Sequence, residues 1–231
     1  MLNTTTNTDQ KVKGISLRLV LVLVIFAIIL LLFLLITEKF VLEGGNNIDA
    51  SVFTFLENYT SPTTTAVMNF FTFFGSTRFL FPAYLLLALF YIVFKKNTRR
   101  SLNITAIGLG SLLLMLLIKS IFKRHRPPDP LIAAAKGFSY PSGHSTSAFT
   151  FCGILIYILW ESKVSKVWKW AGTFALLLFA GIVAISRVYL HVHYASDVLA
   201  GFCLSFLWLT ICIFILRRIN NSGKVDKGVK A

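Results

Sequence analysis

The chain has 231 residues, of which 56% are hydrophobic, 14% aromatic and only 14% charged, and its 22 Phe outnumber its nine Asp plus Glu. Soluble domains carry about 25% charged residues, so these values exclude a soluble globular domain and a disordered chain and place the protein in a bilayer. The formal net charge of +14 would suggest nucleic acid in a soluble protein; here it must be divided between two faces of a membrane.

A membrane-crossing helix needs roughly 17–25 predominantly apolar residues, because each rises about 1.5 Å through a hydrocarbon layer about 30 Å thick. Residues 19–36, 79–94, 101–118, 143–160, 170–186 and 198–216 meet or approach this requirement. The predicted fold class is an all-α polytopic membrane protein, a six-transmembrane-helix bundle with an outer-face active site, forming one domain over residues 1–231. The first span has the basic flanks Lys11, Lys13 and Arg18, but its apolar core is longer than that of a signal peptide and no small-residue cleavage site follows, so an uncleaved anchor is expected. The second span is short and contains Pro82, which predicts extension into the interface or tilt.

Between the first two spans, Asp49 is expected to cap a short helix running to about Tyr59. Ser61 with Pro62 at the first helical position predicts a second, ending at Gly75. Together they give an outer helical segment over about 49–75, too short to span, which either lies in the outer interface or plugs against the bundle. Cys152, Cys203 and Cys212 sit in apolar stretches without ligand spacing and read as packing residues. Residues 220–231 read as a disordered solvated tail.

Six spans put both termini on one side. The segments on that side carry 15 Lys plus Arg against three acids, net +12; the other side carries eight against six, net +2, and together these make the +14 of the whole chain. Positive charge accumulates on the cytoplasmic side, so both termini are expected there, with the remaining loops outside the cell membrane.

All four histidines fall in or beside two outer loops. The first loop begins with Lys119, six residues, Arg126 and Pro127. Lys119 and Arg126 are seven apart, two turns along one face if the third helix continues past Ile118, and an ammonium beside a guanidinium suits a phosphate. Lys123 and Arg124 between them are expected to snorkel toward headgroups. Pro141, Ser142, Gly143 and His144 then open an apolar helix, where Ser142 can act as N-cap and the free amides can hold an anion. Finally Ser186 and Arg187 are followed by His193 and, four residues later, Asp197, which can fix the tautomer of His193 if both lie on one helical face. A metal site from His191, His193 and Asp197 is the rival reading, weakened by the lack of a Cys or second carboxylate nearby.

These elements, K-x6-R-P, P-S-G-H and S-R-x5-H-x3-D, resemble the signature of the type 2 phosphatidic acid phosphatase superfamily, which also includes vanadium haloperoxidases. The similarity runs from Lys119 to Asp197 in order and spacing. It implies that His193 is the nucleophile, forming a phosphohistidine, that Asp197 orients it and that His144 protonates the leaving group. Lys119, Arg126, Ser142, Gly143 and Arg187 would hold the phosphoryl oxygens. His125 and His191 match no motif position. The resemblance further implies no metal or other cofactor, and a lipid phosphate substrate in the outer leaflet. Phosphatidylglycerophosphate is favoured, as for similar short six-span bacterial members; undecaprenyl diphosphate or broad action including phosphatidic acid is the alternative. A transporter would place ionisable groups in mid-span, where this chain has almost none, and a non-catalytic adaptor needs no such histidine pair. No nucleic-acid partner is expected.

Overall fold

A computed structural model describes residues 3–45, 47–133 and 136–228, and the described residues form helices joined by short loops. The helices are α1 (Asn3–Ile36), continued by a π-helical turn (Thr37–Leu42), then α2 (Asn47–Glu57), α3 (Pro62–Phe73), α4 (Thr77–Val93), α5 (Thr98–Phe122), α6 (Gly143–Glu161), α7 (Lys166–Tyr189) and α8 (Ala195–Gly228). Six helical stretches are long and apolar enough to cross a membrane, corresponding in order to the six expected spans. Most Leu, Ile and Val side chains of α1 between 19 and 35 are exposed. In water that surface would be costly at about 25 cal/mol per Å2; in lipid it is already in an apolar solvent.

The centre of the bundle is α6, packed against α7 and α8, with α5 and then α4 on its flank. Because lipid is as apolar as Leu, helices in a bilayer associate through close packing and small residues rather than through a hydrophobic gradient. Ala148 and Cys152 of α6 accordingly meet Ala180 and Val183 of α7. Gly110 of α5 lets the Trp208 ring approach so closely that a Cβ there would lie 2.3 Å from it, and the indole N–H donates to the Ile107 carbonyl at 2.8 Å. Ser111 and Thr150 pair across α5 and α6 at 2.8 Å, satisfying two hydroxyls that the hydrocarbon could not. Cys152 and Cys203 are buried and Cys212 is partly so.

Pro82 lies inside α4, where it removes one helical hydrogen bond without ending the helix. α3 packs against the bundle, with Phe71 and Phe74 edgewise on Phe179 of α7, while Val67, Phe70 and Phe73 stay exposed. The Ser61 hydroxyl caps α3 by accepting from the Thr64 amide. Asp49, in contrast, is no N-cap, since α2 starts at Asn47 and the Asp49 side chain points inward, 1% exposed. The expected disordered tail is also corrected over 220–228, where α8 remains helical to Gly228; adding turns to an existing helix carries no nucleation cost. Residues 229–231 of that tail lie outside the described residues.

The ends of α5 and α7, the starts of α6 and α8, and residues 123–133, 136–142 and 190–194 meet at one end of the bundle. α2 and α3 cover it, through Val52, Phe53 and Leu56 against Val188 and Val198, and Met68 against the Tyr189 cluster.

Candidate active site

Lys119 projects from the last turn of α5 and donates to the carbonyls of Phe138 at 2.7 Å and Ser139 at 3.0 Å. α5 stops three residues later, with Lys123 in the left-handed conformation at φ 47° as its C-cap. Arg126 therefore does not lie on the helical face of Lys119, as its spacing predicts. It returns to the same place from a loop, its Nε donating to the Gly137 carbonyl at 3.0 Å and Nη1 to the Val192 carbonyl at 2.7 Å. The same Nη1 is 3.1 Å from His193 Nε2. Partial burial pulls the Arg126 guanidinium below its usual pKa, opposed by Asp197.

Ser142, fully buried, precedes α6 in extended conformation, and its hydroxyl accepts from Ser145 Oγ at 2.9 Å and, at 3.4 Å, from the Ser145 amide. Its own amide donates to the Asp197 carbonyl at 3.0 Å, which ties the start of α6 to the first turn of α8. Gly143 opens α6 and His144 follows. The His144 ring abuts Gly75: a Cβ there would lie 3.0 Å from His144 Cβ and 2.7 Å from Val183 Cγ1. His144 lies within reach of the positive charges of Arg187, Arg126 and Lys119.

Arg187, buried in the last turn of α7, donates from Nη1 to the Thr72 hydroxyl of α3 at 2.5 Å, while its buried Nε has no protein partner among the described residues. A buried, unmatched guanidinium donor costs free energy unless something accepts from it, and beside Lys119 and Arg126 that acceptor would be an anion.

His193 lies just before α8, not on it, and Asp197 sits in the first turn. The pair is 3.4 Å apart, Nδ1 to Oδ2, with the Ser139 hydroxyl 3.2 Å from the same Nδ1 and donating to Asp197 Oδ2 through a short hydrogen bond. Since Ser139 gives its one proton to Asp197, it can only accept from Nδ1. Arg126 can only donate, so Nε2 must accept. Both neighbours assign the same tautomer, with the proton on Nδ1 and the lone pair on Nε2. Burial lowers the His193 pKa to about 4, partly opposed by Asp197 and reinforced by Arg126 and Lys119. The ring thus remains neutral at physiological pH.

All eight sequence-selected residues converge here: Lys119, Arg126, Ser142, Gly143, His144, Arg187, His193 and Asp197. His191 is turned away onto the Phe53 ring, centroids 4.6 Å apart, and His125 is exposed. No three metal-ligating side chains converge among the described residues, so His191, His193 and Asp197 do not form the rival metal set.

The spacing did not reveal Ser139, Arg124, Asp49 or Ser196. Arg124, expected to snorkel, instead donates to Asp197 Oδ1 at 2.7 Å and Asp49 Oδ2 at 2.9 Å. Its one sequence signal was a cation in a loop expected on the side poorer in cations.

Residues 100–220 match the model of the PAP2 superfamily. Phosphatidylglycerophosphatase B of Bacillus subtilis is 35% identical over 147 residues, 61% of this chain and 70% of that one. A dolichyldiphosphatase of Saccharomyces cerevisiae is 31% identical over 119 residues, about half of each chain. A crystal structure of a transmembrane PAP2-type phosphatidylglycerolphosphate phosphatase from Bacillus subtilis aligns with a TM-score of 0.77 at 25% identity, covering 84% of this chain and 96% of that one. With the family match over half its length, a relative at this identity and the same helical architecture, the chain belongs to the PAP2 superfamily, as a membrane lipid phosphatase.

Proposed function

We propose that the chain, as a single domain, removes the terminal phosphate of a lipid phosphate in the outer leaflet through a phosphohistidine at His193. The observation that carries this reading is the disposition of the His193 ring: a neutral imidazole backed by Ser139 and Asp197, its Nε2 facing Arg126 Nη1 at 3.1 Å. A phosphoryl group held by Lys119, Arg126, Arg187 and the Ser142–Gly143 helix start would present phosphorus to that lone pair.

Nε2 attacks phosphorus, the bond to the lipid oxygen breaks, and His144 gives that oxygen a proton. The positive charge developing on His193 is stabilised by Asp197. The three cations stabilise the charge on the equatorial oxygens. Neutral His144 then takes a proton from water, which attacks phosphorus; the P–N bond breaks and inorganic phosphate leaves. Every proton transfer is assigned to a side chain, and no step requires a metal ion.

The charge asymmetry supports cytoplasmic termini and an extracytoplasmic site. Phosphatidylglycerophosphate is the preferred substrate, supported by the Bacillus subtilis relative, which matches along more of the chain than the yeast enzyme does. The yeast dolichyldiphosphatase supports a second reading, a polyprenyl diphosphate such as undecaprenyl diphosphate. Phosphate release by purified protein in mixed micelles separates them: phosphatidylglycerophosphate should give a higher kcat/KM than undecaprenyl diphosphate, phosphatidic acid or a soluble ester. Faster turnover of undecaprenyl diphosphate would establish the second reading, and preference for the soluble ester would refute both.

A further inference from the structure

The geometry of the Asp197 carboxylate depends on what holds its far oxygen, and that support comes from residues that the three motifs do not specify. Arg124, with 9% of its side chain exposed, lies between Asp197, 0% exposed, and Asp49, 1% exposed. Its Nη1 donates to Asp197 Oδ1 at 2.7 Å and to Ser196 Oγ at 2.8 Å, and its Nη2 to Asp49 Oδ2 at 2.9 Å. Asp49 is itself fixed by the Ser196 amide at 2.9 Å and the Ser196 hydroxyl at 2.6 Å. The guanidinium stacks over the Tyr194 ring, 4.1 Å from its centroid. Both oxygens of Asp49 and both oxygens of Asp197 are therefore engaged.

We infer that Asp49 and Arg124 are positioning residues for the nucleophile: α2 brings Asp49 to Arg124, and Arg124 sets the Asp197 carboxylate against His193. The inference rests on the reading of His193 as nucleophile. Asp197 Oδ2 serves the His193 side, accepting from Ser139 and from the Tyr194 amide at 3.0 Å. Oδ1 is held by Arg124, so Arg124 determines the rotation of the carboxylate about its Cβ–Cγ bond. Arg124 alone could follow Asp197 as it rotates; the second anchor, from Nη2 to Asp49 Oδ2, prevents this. Among the described residues Arg124 pairs with both buried carboxylates, and without it two like charges share a desolvated pocket, which favours protonating Asp197. A protonated or rotated Asp197 no longer stabilises the imidazolium that forms during attack.

This arrangement also gives the outer segment a role. α2 does more than cover the site, because it delivers the carboxylate that immobilises Arg124. Among the described residues Asp49 and Arg124 share no hydrogen bond with the cations expected to bind phosphate, so their loss acts on the charge-developing step and not on ground-state binding.

The test uses the full chain in mixed micelles and compares Asp49→Asn, Arg124→Gln, the double variant, Arg124→Lys and His193→Ala. Arg124→Gln should lower kcat by about 100-fold and Asp49→Asn by about 10-fold, the range typical of lost support for a site ligand, with KM within about threefold of the parent. The double variant should be no slower than Arg124→Gln, because Asp49 acts through Arg124. Arg124→Lys should recover part of the loss, since an ammonium can reach one carboxylate but cannot bridge both in the plane of a guanidinium. Parent-like kcat in Arg124→Gln or Asp49→Asn, or losses that multiply in the double variant, would overturn the inference. If Arg124→Gln does not fold, Asp49→Asn, which keeps size and an acceptor for Ser196, decides it through its kcat. An active His193→Ala would instead refute the histidine mechanism; an inactive His193→Ala beside a parent-like Arg124→Gln would refute the positioning role alone.

Discussion

Arg126 Nη1 stands 3.1 Å from His193 Nε2 while also donating to the Val192 carbonyl, so the proposed phosphate-binding cation and the proposed nucleophile share one hydrogen-bonded unit. A guanidinium can lean on the lone pair of a neutral ring and still offer other N–H groups to an anion. Arg126→Lys keeps the charge and loses this fork. Its kcat should fall by about 100-fold, the scale of losing one transition-state donor, with an unchanged helical content. Circular dichroism together with phosphate release checks both parts.

The depressed pKa of His193, about 4 against 6.5 in the unfolded chain, has a defined sign in stability. Below pH 6.5 the unfolded state takes up a proton that the folded site refuses until about pH 4. The stabilisation tied to neutral His193 is therefore fully present above pH 6.5 and lost as pH falls toward 4. Thermal unfolding in detergent should show Tm decreasing across that window, and His193→Gln should flatten the decrease. Equal pH slopes in both proteins would contradict the burial of a neutral ring.

Gly75 is required by close approach, since a Cβ there would enter the space of Val183 and His144. Gly75→Ala should displace His144, reducing kcat by about tenfold, and should destabilise the fold by about 1–3 kcal/mol through overpacking. The combination of phosphate release and Tm distinguishes it from a surface change, which would alter neither.

Vanadate adopts the five-coordinate geometry of phosphorus in transfer, so it should inhibit competitively with the lipid substrate. A divalent-ion chelator should leave phosphate release unchanged. Loss of release in chelator with recovery on adding a divalent ion would replace the histidine mechanism by a metal-assisted one.

The six helices were legible because bilayer-spanning segments need only length and apolarity, and the approximate position of α3 followed from Ser61, Pro62 and Gly75. The candidate site was legible in its residue types, because the spacings around Lys119, His144 and His193 are local. The three-dimensional route was not. Lys119 and Arg126 meet through the left-handed turn at Lys123, and no periodicity encodes where a chain returns after such a turn. Asp49 looked like a helix cap because short-range chemistry favours that use of Asp; its partner Arg124 is 75 residues away. Ser139 has no motif of its own and acquires its position from the hydrogen bond between its amide and the Arg124 carbonyl at 2.8 Å.

The covalent intermediate can be observed directly. Purified protein mixed with phosphatidylglycerophosphate, quenched at alkaline pH within one turnover and digested, should yield the peptide containing His193 with one added phosphoryl group, stable to base and lost in acid. His193→Ala should form no such adduct and release no phosphate. Phosphate release by His193→Ala at the parent rate, or a phosphoryl group trapped on any other residue, would contradict His193 as the nucleophile.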